Sequence, residues 1–391
     1  MSQLNYRALM TLLVITITLG GSSLALRAAF PDAWRRFGKR LAAIAWMVAL
    51  VGVLGWRGRA TFGLPVGNAQ VFLALTSTML VSSLALFISA PLWAPLGVLT
   101  RKRGQGDVDN AGRRHFLRRL GGVMPVAAAT AGPAGAVAAT QRPVIREVEV
   151  QSSHVPAELD GLTLLQLSDV HLGAFIDVSQ VRAVVEDVAH RSLDAIVLTG
   201  DIADDYSQLP EALGLLASLR PTLGMFACIG NHEVYRGRDE AVRIFEEGGA
   251  RFLCNDGVVL EKNGARLFVA GADDPARLGQ EHRPFLRKSV ARALAACPVD
   301  VRCRVLLSHR PEGFEAGAEH GVTLTLSGHT HGAQMALLGR SLLGWALPDS
   351  YLLGRYRRGE SQLYTSAGLG HWFPFRLNCP CEATLVTLRA V

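Results

Sequence analysis

Three uncharged stretches near the start of this chain leave it few ways to fold. Residues 8–26 lie between Arg7 and Arg27, residues 41–56 between Arg40 and Arg57, and a third stretch runs from 71 to about 90, ahead of Pro91 and Pro95. A hydrocarbon layer holds no water for backbone N–H and C=O groups, so a crossing segment must pair its own, as a helix does. A span takes about 20 apolar residues. The first and third stretches reach that length and the second falls short. Burial as helices of a soluble domain is the weaker account, because three such stretches occur with almost no acidic residue beside them.

Charge follows the same division. The chain has 391 residues, enough for two or three structural units. Its net charge is +7, yet residues 1–140 hold 15 Lys and Arg against 3 Asp and Glu, and the remainder 25 against 30. A basic excess confined to the membrane part reads as loop charge, so no nucleic acid and no obligate protein partner is expected. Residues 27–40 hold Arg27, Arg35, Arg36, Lys39 and Arg40, and residues 57–70 only Arg57 and Arg59. Residues 101–119 hold seven basic side chains against Asp107 and Asp109. The positive-inside rule puts the first and third of these loops in the cytoplasm and the N-terminus outside.

Gly112-Arg113-Arg114-His115-Phe116-Leu117-Arg118 resembles a twin-arginine export motif. Behind it an uncharged Ala/Gly-rich stretch, 120–140, ends in Ala136-Val137-Ala138, a small-residue cleavage pattern. A basic anchor followed by a fourth, weakly hydrophobic span is the plainer reading of the same residues. Either way the chain crosses once more. The expected plan is a membrane region over 1–100 with about three transmembrane helices, a basic linker over 101–143, and a separate domain over 144–391. The expected location is the cell (inner) membrane, with that domain on its extracytoplasmic side.

From Val144 the pattern changes to short apolar runs separated by helical segments. Residues 144–150 alternate as a half-exposed strand does, whereas 162–167 and 195–198 are continuous apolar runs, the mark of strands buried on both faces. Between them Val178, Val181, Val184, Val185 and Val188 recur at helical spacing, which completes a β-α-β unit. Residues 225–229, 267–270, 305–307, 322–326 and 383–388 supply further strands, and a layered α/β domain of roughly 250 residues is the expected fold. Six cysteines fall here, Cys228, Cys254, Cys297, Cys303, Cys379 and Cys381. Cys228 sits inside an expected strand as a core thiol. Cys379-Pro380-Cys381 lacks a second pair at zinc-finger spacing and reads as structural.

Five polar clusters each follow an apolar run: Asp169-Val170-His171, Gly200-Asp201, Gly230-Asn231-His232-Glu233, Ser308-His309 and Gly328-His329-Thr330-His331. In an extended segment residues i and i+2 point the same way, so Asp169 and His171 can address one metal, whereas a helix would set them about 200° apart. Gly200 lets the backbone turn and aims Asp201, whose two carboxylate oxygens can bridge two ions. Asn231 offers a neutral oxygen, and the adjacent His232 is free for acid–base work. His329 and His331 repeat the i, i+2 pattern. Each cluster has an ordinary alternative: a surface loop for Asp169-His171, a helix N-cap for Asp201, a turn for Gly230-Asn231, a core histidine for His309. Five together at strand ends make chance a poor explanation, and mixed carboxylate, imidazole and amide donors suit a pair of divalent metals.

With these clusters in this order, residues 144–391 resemble the calcineurin-like metallophosphoesterase superfamily, and within it the membrane-associated, twin-arginine-exported branch of bacterial phosphodiesterases. The resemblance implies a metallophosphoesterase sandwich domain behind N-terminal transmembrane helices. It implies one metal at Asp169, His171, Asp201 and His331, a second at Asp201, Asn231, His309 and His329, and His232 at the leaving group. Two positions depart from the branch: Gly332-Ala333-Gln334 stands where Gly-Gly-Gln is usual, and Glu233 where Asp is commoner, either of which can orient His232. Neither removes a ligand.

The chemistry follows from charge. Two divalent ions exceed the charge of Asp169 and Asp201, attract a phosphate anion and make a bridging hydroxide available near neutral pH, while Mn, Fe and Zn all accept such ligands. Residues 335–358 are unusually apolar, with Met335, Leu337, Leu338, Leu342, Leu343, Trp345, Leu347, Tyr351, Leu352 and Leu353 ahead of Arg355, Arg357 and Arg358. Such a lobe suits a lipid-linked phosphate, and loop packing is the equal alternative. A soluble nucleotide or phosphoprotein substrate, or a non-catalytic metal-binding scaffold, are the rival functions. A transporter is disfavoured because the spans hold no internal Asp, Glu, Lys or Arg. For topology, a reporter active only outside the cytoplasm and fused after residue 391 is expected to work, and the same reporter after residue 105 to be silent. Cytoplasmic activity of the full-length fusion contradicts the fourth crossing.

Overall fold

The computed structural model describes residues 3–62, 66–100, 111–173, 175–276, 282–347, 350–371 and 373–391. Arg101, Lys102, Arg103, Asp107 and Asp109 lie outside the described residues, as do the side chains of Arg7, Arg57, Arg59 and Arg114. The chain divides into two units, residues 1–140 with 373–375, and residues 141–372 with 376–391.

The first unit is helical. α1 (Gln3–Ala29) is followed by the short α2 (Pro31–Ala33), which runs through a π-helical turn at Trp34–Gly38 into α3 (Lys39–Phe62); α4 (Val66–Leu99) and α5 (Ala111–Ala139) complete it. Among the described residues four segments, Leu9–Ala29, Pro31–Gly55, Val71–Leu99 and His115–Ala139, are long and apolar enough to cross a membrane. The second stretch reaches the length because its helix continues back through the basic turn to Pro31. The Ala/Gly-rich stretch behind Arg113-Arg114 becomes the fourth such helix. α4 packs against α1, α3 and α5, and small polar residues join the helices. Thr18 Oγ1 donates to Ser83 Oγ at 2.8 Å, and Ser82 Oγ donates to the Ala129 carbonyl at 2.8 Å. A Cβ at Gly132 would lie 2.3 Å from the Thr78 carbonyl, so α5 approaches α4 as closely as glycine allows.

The second unit stacks two six-stranded sheets between helices. Its strands are β1 (Val144–Gln151), β2 (Thr163–Leu167), β3 (Ala195–Thr199), β4 (Gly224–Cys228), β5 (Ala250–Phe252), β6 (Asp256–Lys262), β7 (Ala265–Gly271), β8 (Arg304–Leu307), β9 (Leu324–Ser327), β10 (Ala336–Leu337), β11 (Arg340–Ser341), β12 (Gly354–Arg358), β13 (Ser361–Thr365) and β14 (Glu382–Arg389). One sheet has the order β1-β14-β2-β3-β4-β5, the other β12-β13-β9-β8-β7-β6, and β10-β11 form a separate hairpin. β2, β3, β4 and β5 run parallel, as do β7, β8, β9 and β13.

Alternation along the strands divides the core. In β2 Leu164 faces the second sheet, together with Val197, Phe226, Val269, Val305 and Leu326. Leu165 and Leu167 face the helices α6 (Val178–Val188), α7 (Leu209–Ala217) and, beyond the short α8 (Asn231–Arg236), α9 (Arg238–Glu247). On the far face of the other sheet, Phe268, Ala270 and Leu306 pack with α10 (His282–Leu294) and α11 (Gly313–Glu319). This layered α/β sandwich is the expected fold. All six cysteines are free thiols, with Cys228 buried in β4, and burial raises its pKa well above the ordinary thiol value. Cys379 and Cys381 are buried as well.

Candidate metal centre

The carboxyl ends of β2, β3, β4, β8 and β9 converge. Asp169, Asp201, His309 and His329 each follow the last residue of a strand by two positions, and Asn231 follows β4 by three. The backbone turns there are tight. Asp169, His171, Asp201, His329 and His331 have φ between 50° and 67°, the left-handed region that non-glycine residues avoid. Each such position costs about 1–3 kcal/mol unless its surroundings compel it. The expectation of an extended Asp-x-His segment is therefore corrected. Asp169 and His171 do converge on one cluster, through two left-handed residues rather than through strand alternation. Glycines make room: a Cβ at Gly328 would lie 2.0 Å from Asp169 Oδ2, and one at Gly200 2.8 Å from the His309 ring.

Among the described residues two clusters lie at these strand ends, Asp169 with His171 and His331, and Asp201 with His309 and His329, and a third group, His171 with Asp204 and His232, adjoins the first. His171 Nε2 and His331 Nε2 are 3.2 Å apart, and His331 Nε2 is 3.4 Å from Asp169 Oδ1. In the second cluster His329 Nδ1 lies 3.2 Å from His309 Nε2. Asp201 stands between the two, with Oδ2 at 3.2 Å from His309 Nε2 and 4.0 Å from His171 Nε2. Its Oδ1 accepts the His232 backbone N–H at 2.8 Å. Asn231 Oδ1 is buried with no hydrogen-bond partner.

Facing imidazole nitrogens and an orphaned amide oxygen have a common solution. Lone pairs 3.2 Å apart repel unless a proton or a cation lies between them, and the orphaned oxygen is costly without a partner. Divalent ions at the two clusters would separate the facing nitrogens, and Asn231, next to His232 in the β4 loop, offers a further oxygen, so the residues present fit such ions.

The outer nitrogens fix the rings. His171 Nδ1 lies 3.1 Å from Asp204 Oδ2, and His309 Nδ1 lies 2.9 Å from the Thr199 carbonyl, acceptors that hold the proton outside and turn Nε2 inward. Guanidinium groups stand at the other two rings: Arg310 at 2.9 Å from His329 Nε2, itself paired with buried Asp274, and Arg376 at 3.4 Å from His331 Nδ1. Burial first, then neighbouring basic groups (His309 and Arg310 for His329, His171 and Arg376 for His331), holds both rings well below the ordinary histidine pKa and therefore neutral, the form a metal needs. Burial also opposes ionisation of Asp201, but His309 and His171 outweigh it and hold the carboxyl well below its usual range.

His232 behaves differently. Its side chain keeps 24% exposure, its Nε2 lies 3.9 Å from Asp201 Oδ2, and its Nδ1 is 2.6 Å from Asp204 Oδ1. Burial disfavours the imidazolium, yet the Asp204 bond and the Asp201 charge prevail and raise its pKa. Asp204 is thus the carboxylate on His232. The expectation that Glu233 orients this ring is corrected: Glu233, fully buried, accepts the backbone N–H groups of Asp201, Ile202 and Gly230 at 2.9, 2.7 and 2.9 Å. Its carboxylate ties the β3 loop to the β4 loop. Asp204 escaped the sequence reading; its signal is a second acid three residues beyond Asp201 in the same loop. Arg310, Asp274 and Arg376 carry no motif of their own.

Residues 162–333 match the model of the calcineurin-like phosphoesterase family. The chain is 30% identical over 265 residues to a Danio rerio transmembrane protein with metallophosphoesterase domain, covering 65% of this chain and 59% of that protein. It is 30% identical over 251 residues to an uncharacterized metallophosphoesterase of Helicobacter pylori, covering 63% and 64%. To the uncharacterized metallophosphoesterase YkuE of Bacillus subtilis it is 28% identical over 289 residues, covering 71% and 98%. The chain thus spans about three-fifths of the first two relatives, and its similarity is not confined to bacteria.

Asp201→Asn removes the charge that lies between the clusters and leaves a poorer bridging group. Elemental analysis of the purified variant is expected to show loss of most bound metal and of turnover. Two ions retained with near-normal turnover would contradict the assignment of Asp201.

Proposed function

We propose that the second unit hydrolyses phosphate mono- or diesters at this centre, and that its natural substrate is lipid-linked. The observation that carries the reaction is the placement of Asp201 between two ligand clusters, with the partly open His232 beside it. Divalent ions held there supply Lewis acidity for the phosphoryl oxygens and a water of lowered pKa. The protein's own groups do the rest. His171, His309, His329 and His331 would hold the ions through their inner nitrogens. The strand-end turns fix their spacing before substrate arrives. His232 holds a proton on the nitrogen facing the site, for the departing oxygen, while Asp204 retains the proton on the other nitrogen and stabilises the imidazolium.

The lobe after the last ligand motif supports the lipid reading. Leu338 and Trp345 are 88% and 61% exposed, and Leu337, Leu342, Leu343 and Leu347 are also open to solvent on the β10-β11 hairpin and the turn after it. An exposed apolar patch of this kind marks an interaction site rather than packing. We place the second unit outside the cytoplasm, on the charges of residues 27–40 and 101–119 together with four crossings. The Arg113-Arg114 motif in α5 fits export at that point.

His232→Ala is expected to keep the metals and lower kcat by roughly 10²-fold or more, with the loss shrinking for a good leaving group such as nitrophenolate. An equal loss across leaving groups contradicts general-acid help. Replacing Leu342, Leu343 and Trp345 with Ser is expected to raise KM for lipid phosphates while a short soluble phosphodiester is cleaved as before. Equal effects on both substrates, or a wild-type enzyme that prefers the soluble ester, contradict the lipid reading and favour a soluble phosphoester.

A further inference from the structure

The helices of the first unit leave an apolar groove of ≈ 600 Å³ among α1, α3, α4 and α5. Ile15, Leu19, Ala45, Leu86 and Val126 present hydrocarbon to it. One polar atom is out of place. Ser22 lines the groove, is 1% exposed, and its hydroxyl has no hydrogen-bond partner among the described residues. A helical hydroxyl normally returns to a carbonyl one turn back, as Thr18 does to Val14 at 2.8 Å. Left alone in apolar surroundings the Ser22 hydroxyl is costly, so it calls for an acceptor brought by an occupant.

The same groove is bounded by the π-helical turn Trp34–Gly38, a form of helix that recurs at functional sites. A Cβ at Gly38 would lie 2.3 Å from the Trp34 ring, so this glycine lets the indole fold against the turn and wall the groove. Cations surround that turn. Arg35 is held by Asp32 at 2.6 Å, while the exposed Arg36, Lys39 and Arg40 form no ion pair among the described residues. Ser22 lies on α1 two turns before its end at Ala29. None of Arg36, Lys39 and Arg40 lines the groove, but Arg36 lies over the ring of Phe37, a lining residue, at 5.1 Å. The cations therefore stand at the rim by this turn, with the Ser22 hydroxyl two turns back along α1 and the hydrocarbon of Leu19 and Ile15 beyond it. That sequence matches an anionic glycerophospholipid from phosphate through ester carbonyl to acyl chain. A groove of this size lies in the range of ligand sites, and basic pockets between membrane helices bind anionic headgroups.

We propose that the first unit holds one anionic phospholipid of the bilayer, with its phosphate against Arg36, Lys39 and Arg40, an ester carbonyl accepting from Ser22, and an acyl chain between the helices. This ligand is distinct from the substrate of the metal centre, and the proposal stands whatever that substrate is.

The test uses full-length protein in detergent, delipidated and then exposed to phosphatidylglycerol or phosphatidylcholine and weighed by native mass spectrometry. One phosphatidylglycerol is expected to stay bound, with affinity about tenfold or more above phosphatidylcholine. Arg36→Gln with Lys39→Gln and Arg40→Gln should equalise the two lipids, and Ala45→Phe, which fills the groove, should release both. Should Ala45→Phe fail to fold, the wild type decides through fluorescence. Chain-brominated phosphatidylglycerol should quench Trp34, read as the difference between wild type and Trp34→Phe, and brominated phosphatidylcholine should quench it far less. Equal binding of both lipids by the wild type, undiminished selectivity in the triple variant, or absence of Trp34 quenching overturns the proposal.

Discussion

Asp169, Asp201 and Glu233 place three carboxylates in the interior of the second unit, at 0%, 3% and 0% exposure. Buried charge is tolerated only where hydrogen bonds or counter-charges meet it. Glu233 is met by four backbone N–H groups from two loops, those of Asp201, Ile202, Ala203 and Gly230. Asp169 accepts the Ser168 hydroxyl at 2.6 Å and the His329 N–H at 3.0 Å on both oxygens. Asp201 has one backbone N–H and the His309 ring, and its Oδ2 looks into the space between the clusters. In the protein alone His309 takes up the difference: burial works against its charge, yet Asp201 and Asp169 push its pKa up to about 10. A metal at that ring displaces the proton, so the same negative field that holds the histidine charged also favours a divalent ion.

The geometry that gathers these groups has an energetic cost, and the sandwich around it bears that cost. Five candidate ligands sit in left-handed backbone, and such residues persist only where packing determines them completely. The determining contacts are local and specific. The Asp169 N–H donates to the Gly200 carbonyl at 3.0 Å, and the His171 N–H to the Asp201 carbonyl at 3.1 Å. The Gln166 amide reaches across from one sheet to the Ser327 carbonyl of the other at 3.1 Å. The two sheets are thereby registered at the edge where the chemistry is expected.

The buried strands were legible because Leu, Val and Ile runs such as 162–167 and 195–198 have no other place to go. Their ends were legible because a polar cluster interrupts each run. β5, β6, the β10-β11 hairpin and the pair β12-β13 were not: Gly354–Arg358, for one, reads as a basic loop and becomes a strand by antiparallel pairing with the fully buried β13. The outer partners of the histidines were the least legible part. Asp204, Arg310, Asp274 and Arg376 meet the site through tertiary approach, 33 residues apart for Asp204 and His171 and 45 for Arg376 and His331. Only Asp204 carries a local mark, as a second acid in the loop of Asp201; the other three carry none. In the first unit, charge counting understated the second span, because the π-helical turn carries its arginines into a continuous helix.

The central claim is that two divalent ions between these loops make the second unit a phosphoesterase. Metal-stripped protein titrated with Mn²⁺, with hydrolysis of a nitrophenyl phosphoester followed at each addition, tests it most directly. Activity should be absent at the start and reach its plateau at two equivalents of bound metal. Hydrolysis that survives stripping, or full occupancy of the ligands without hydrolysis of any phosphoester, would contradict the account.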